Sequence, residues 1–137
     1  MNLAGQMVNA RMIRNGRAPF QMPAPTLFLS NPVLVGDTLF GLSEKARGQF
    51  FALDANTGRA LWLGPPRQAS NTAVVKAGTV LFLLDDDGEL IVARSSRSGL
   101  DIVKRYTVAS ATWAQPAVSG NRVFVKDVTS LSLRTLN

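Results

Sequence analysis

A nine-residue phrase occurs three times in this chain: Pro32-Val33-Leu34-Val35-Gly36-Asp37-Thr38-Leu39-Phe40, Val74-Val75-Lys76-Ala77-Gly78-Thr79-Val80-Leu81-Phe82 and Pro116-Ala117-Val118-Ser119-Gly120-Asn121-Arg122-Val123-Phe124. Its glycines and its phenylalanines both recur every 42 residues. A fixed period of that size marks stacked supersecondary units, each unable to bury its apolar face alone. Within each phrase an apolar run enters a Gly next to Asp, Thr or Asn, and a β-branched and aromatic run leaves it. That is the grammar of a β-hairpin.

Behind the first two phrases a second hairpin follows, Gln49–Leu53 with Ala60–Trp62 and Glu89–Ala93 with Asp101–Lys104. Four short strands in a unit of roughly 40–45 residues have the dimensions of a propeller blade, and propellers close with roughly 4–8 blades. The expected fold is therefore all-β: about two and a half to three blades of four antiparallel strands, an incomplete propeller. The units divide at 27–69, 70–111 and an incomplete 112–137. Residues 1–26 carry Arg11, Arg14 and Arg17 with no acid and show no strand pattern, so an irregular or disordered basic leader is expected there. That segment lacks the apolar core of about 7–15 residues that a secretory signal requires.

The stretch Phe51 to Trp62 reads as strand, turn, strand. An Asp carboxylate accepts from backbone N–H groups two and three residues on, Thr does so more weakly, and Gly takes the left-handed position that closes the turn. A Trp four residues after that Gly offers a flat surface to a neighbouring blade. The stretch resembles the alanine-x-aspartate-x-x-threonine-glycine-x-x-x-tryptophan repeat of the pyrroloquinoline quinone (PQQ)-like propeller family, with Ala52, Asp54, Thr57, Gly58 and Trp62 in the matching places. These five residues are read as blade-docking structure and not as ligands. The second unit carries a decayed version, Arg94-Ser95-Ser96-Arg97-Ser98-Gly99, with Val103 four residues past its Gly, so weaker packing is expected there.

The resemblance covers residues 27–137 and implies the C-terminal blades of a longer propeller. It also implies that the lead-in to each blade lines an axial channel. The candidate channel-lining residues are Ser30, Asn31, Asn71, Thr72, Trp113 and Gln115, whose amide, hydroxyl and indole groups combine hydrogen bonding with stacking. Small polar side chains are equally what a crowded channel wall requires.

Chemistry is bounded by what is missing. The sequence has no histidine and no cysteine, which removes Ser-His-Asp and Cys-His arrangements, thiolate nucleophiles, disulfides and Cys-based zinc sites. Quinoprotein dehydrogenases with this propeller hold their cofactor through many blades, with calcium, an aspartate base and often a vicinal cysteine pair. This chain has too few blades and no cysteine. The run Asp85-Asp86-Asp87-Gly88-Glu89 lies between two strands and continues into Leu90-Ile91-Val92 where a calcium loop needs oxygens, so it reads as a hairpin turn. The net charge of +6 divides into +3 on residues 1–26 and +3 on the blades, whose 12 Lys and Arg are scattered over turns and strand ends without aromatic interleaving, which argues against nucleic acid.

No run approaches the ~20 apolar residues of a membrane span. The expected function is a non-catalytic module for protein interaction or scaffolding, without catalytic, cofactor or metal residues, as in the outer-membrane assembly lipoproteins of this family. The alternative is a C-terminal fragment of a PQQ-dependent dehydrogenase. Its partner would be another protein or further blades, with association of copies as a second way to cover open faces. The resemblance implies a periplasmic or exported protein, although no signal peptide is present.

Overall fold

The computed structural model describes residues 30–137, together with the backbone of 9–14 and 17–23. The three phrases each fold into an antiparallel hairpin turned by two residues, with Gly36, Gly78 and Gly120 at φ of +61°, +62° and +60°. These hairpins are the inner halves of three separate sheets. Blade 1 comprises β3 (Val33–Val35), β4 (Thr38–Ser43), β5 (Gln49–Asp54) and β6 (Ala60–Leu63), in that spatial order. Blade 2 repeats it with β7 (Thr72–Ala77), β8 (Val80–Asp85), β9 (Glu89–Ser96) and β10 (Gly99–Thr107). Blade 3 is three-stranded, with β11 (Ala117–Ser119), β12 (Arg122–Lys126) and β13 (Leu131–Thr135). The architecture is all-β, as the period requires. Among the described residues no helix is long and apolar enough to cross a membrane.

Strand alternation assigns each apolar residue to a seam. Phe40, Leu42, Phe50 and Ala52 of blade 1 face Val74, Leu81, Leu83, Ile91 and Ala93 of blade 2 in one buried cluster. The opposite face of blade 2 presents Phe82, Leu84 and Leu90, which meet Val123 and Val125 of blade 3 with Val108 beneath them. Blade 2 is covered on both faces, which is why β8 reads Val-Leu-Phe-Leu-Leu without a polar break.

Two expectations are revised. β1 (Asn9–Arg14) and β2 (Arg17–Pro23) pair as an antiparallel hairpin where irregular chain was expected. The signal that the composition-based reading passed over is Asn15-Gly16, the dipeptide that most favours a two-residue hairpin. The rest of the leader and the expected boundary at residue 27 lie outside the described residues.

The second revision concerns register. Ala52 pairs with Trp62, and the equivalent Val92 pairs with Lys104, so Lys104, and not Val103, occupies the place of Trp62. Counting from the glycine fails because both outer hairpins carry a bulge, at Leu61 and at Val103, while their turns differ in length. Blade 1 turns through residues 55–59, whereas blade 2 turns through Arg97 and Ser98 alone, so β9 and β10 extend farther out.

Candidate functional site

Two clusters of polar residues emerge, one at the outer rim between blades 1 and 2 and one at the inner strands. At the rim, Asp54 Oδ1 accepts from the backbone N–H groups of Asn56 and Thr57, both at 2.9 Å. The Gly58 N–H returns to the Asp54 carbonyl at 2.7 Å, with Gly58 at φ +75°. Thr57 Oγ1 accepts more weakly from the Arg59 N–H at 3.3 Å. Ala52, fully buried opposite Trp62, leaves room for the indole, which tilts at 48° against Phe40 with ring centroids 6.2 Å apart. The Trp62 Nε1–H donates to the Ser96 carbonyl of blade 2 at 3.3 Å.

Arg97, on the tip of the extended hairpin, completes this rim. Its guanidinium donates to Asp54 Oδ2 at 2.6 Å and to Asp37 Oδ1 at 2.9 Å, joining blade 2 to two separate turns of blade 1. The Arg97 charge and the turn N–H groups hold the Asp54 carboxyl well below the usual carboxylate range, and Asp54 in turn raises the affinity of Arg97 for its proton. The shortened turn that read as a lost motif therefore supplies a replacement contact. Because Arg97 and Asp37 stay about half exposed, the pair is screened by salt. Arg97→Ala is expected to lower the melting temperature by a few degrees in dilute buffer and by much less in concentrated NaCl, a difference that thermal scans at the two ionic strengths measure.

At the inner strands the six candidate channel-lining residues divide into two groups. Asn31, Asn71, Trp113 and Gln115, with Ala73 and Val74, line a cleft of about 200 Å³ fed by the lead-in segments of all three blades. Ser30 and Thr72 do not line it. They form a buried relay instead: Ser30 Oγ donates to Asn71 Oδ1 at 3.0 Å and accepts from the Thr72 N–H at 3.1 Å, and Thr72 Oγ1 donates to Asp85 Oδ1 at 2.5 Å.

Asp85 is a residue the sequence reading folded into a turn. By alternation it shares the face of Leu81 and Leu83, which is the signal that it is buried. Desolvation pushes its carboxyl up to about 7, aided by the charges of Asp87, Glu89 and Asp86 and opposed by the Thr72 hydrogen bond. The other acids of the run point elsewhere. Asp86 Oδ1 accepts from the Ser70 and Asn71 N–H groups, and Asp87 Oδ1 accepts from the Glu89 N–H. Among the described residues no three acidic side chains converge as a metal site would need.

The arrangement of sheets is shared with known structures. The chain is similar to BamB from Moraxella catarrhalis, with 22% identity and a TM-score of 0.59 over 80% of this chain and 31% of that one. It is similar to a europium-containing methanol dehydrogenase, with 17% identity and a TM-score of 0.51 over 76% of this chain and 20% of that one. It thus spans less than a third of the length of either. No protein-family model matches the sequence, and no curated protein does. The blade order, the buried seams and these likenesses together give a β-propeller fold, represented here by three consecutive blades.

Proposed function

We propose that the chain is a non-catalytic propeller module whose outward blade 3 face docks a further β-sheet, supplied by a protein partner or by additional blades. One observation carries this reading. Phe40 and Phe82 hold equivalent register positions, and each is buried in the seam toward the next blade. Phe124 holds the same position in blade 3 and is 38% exposed, beside Leu133 at 50% and Leu131 at 70%. A contiguous apolar sheet face of this kind marks a place for another protein surface, and its periodic equivalence to two filled seams specifies a blade-like sheet.

In isolation the face is expected to be covered by a second copy. Sedimentation should show concentration-dependent association of the wild-type chain, and Leu133→Lys, at an exposed position, should abolish it with the circular dichroism unchanged. A wild-type chain that stays monomeric across the accessible concentration range would overturn the reading. So would calcium- and quinone-dependent dye reduction with an alcohol or sugar, which would make the chain part of an oxidoreductase.

A further inference from the structure

Asn71 is 4% exposed, lines the axial cleft, and has only half of its carboxamide satisfied. Its Oδ1 accepts from Ser30 Oγ at 3.0 Å, whereas its Nδ2 donors have no partner among the described residues. A buried amide N–H left without an acceptor costs about 1–3 kcal/mol, so such a group calls for a specific reason. The relay fixes its orientation: Ser30 is held by the Thr72 N–H, and Thr72 by Asp85, so Oδ1 is committed to the protein and Nδ2 to the cleft.

The rest of the lining defines what would meet those donors. Asn31 and Gln115 add two more carboxamides from the blades on either side, and Trp113 presents an indole that is 58% exposed. No charged side chain lines the cleft among the described residues, so an ionic ligand would be desolvated without a counter-charge. A volume of about 200 Å³ lies below the range of drug-sized pockets, which limits the occupant to roughly one ring. A single indole offers one flat apolar surface and no second aromatic to sandwich a planar base. Carboxamides both donate and accept, as hydroxyl groups do, so adjacent hydroxyls on one ring match three of them at once.

We infer that this cleft binds an uncharged hydroxylated ring, a single sugar residue, stacked on Trp113 and hydrogen-bonded by Asn71 with Asn31 and Gln115. Asn71 reads a ring oxygen or hydroxyl as acceptor, and the amides of the flanking blades fix its orientation. The site requires all three blades, so it exists only where their lead-in segments adjoin.

The test uses the full chain with D-glucose and N-acetyl-D-glucosamine as probes and D-gluconate as the charged control, followed by saturation-transfer NMR and tryptophan fluorescence. Saturable binding of at least one neutral sugar is expected, with gluconate weaker. Trp113→Ala and Gln115→Ala, both at exposed positions, should each weaken it about tenfold, the size of one lost stacking or hydrogen-bonding contact. Trp62→Phe, at the rim, should leave it unchanged. No saturable binding by either sugar, or binding that survives Trp113→Ala intact, would overturn the assignment. Neither result bears on association through blade 3.

Discussion

Gly88→Ala is expected to destabilise the protein by roughly 3 kcal/mol or more, enough to consume a large part of the ~5–15 kcal/mol that holds a domain of this size together. Gly88 sits at φ +91°, and a Cβ added there would fall 2.2 Å from the Ala109 carbonyl oxygen and 2.7 Å from its carbon. Those atoms belong to the backbone that leads from blade 2 into blade 3, which no side-chain rotation can move. The crossing is fastened on the other side as well, since the Val108 N–H donates to the Gly88 carbonyl at 3.1 Å.

Blade 1 repeats the device. A Cβ at Gly48 would lie 1.8 Å from the Ala69 carbonyl oxygen, and the Gln68 N–H donates to the Gly48 carbonyl at 3.0 Å. Gly78→Ala is the control, with φ +62° and nothing within 4 Å of the added carbon, so it should cost only the left-handed backbone term of about 1–2 kcal/mol. Urea midpoints for the two variants separate the effects, and equal losses would show that the blade-to-blade crossing yields to an added methyl group.

The contrast between these glycines explains what could be read from the sequence. Gly36, Gly78 and Gly120 announced themselves by a strict spacing because the inner hairpins have one length in every blade. Gly48 and Gly88 are 40 residues apart instead, because the loop before β5 is longer than the one before β9, and so they escape a search for one period. The seams were legible for the same reason as the hairpins, since alternation along β4, β8 and β12 fixes which side chains meet. Arg97 was not, as its partners Asp37 and Asp54 lie 60 and 43 residues away and nothing local records them. The division of the inner residues into cleft and relay was also hidden. Ser30, Asn31 and Asn71 precede the strands, where no alternation dictates the direction of a side chain.

The relay makes the fold sensitive to pH through Asp85. Its carboxyl titrates near 7 in the folded protein against an ordinary 3.8, so between those values the native state holds a proton that the unfolded chain has released. The unfolded state then binds fewer protons, and stability must fall as pH rises from about 4 to about 7 and level off above. The loss is on the order of 4 kcal/mol, because each pH unit across that interval contributes about 1.4 kcal/mol.

Asp54 and Asp127 act in the opposite sense. Arg97 holds the first below the carboxylate range, and hydrogen bonds from Ser130 and Thr129 bring the second to about 2, so their contributions are present above about pH 4 and lost in acid. The two trends place the stability maximum near pH 4–5, on the acid side of neutrality. Asp85→Asn keeps an acceptor for Thr72 and removes the charge, so its urea midpoint should stay level from pH 5 to 8 while the wild-type midpoint declines. Thr72→Val withdraws the donor that favours the ionised form and should carry the wild-type decline to higher pH. Parallel curves for wild type and Asp85→Asn would mean that Asp85 is ionised in the folded protein and that its buried position is hydrated.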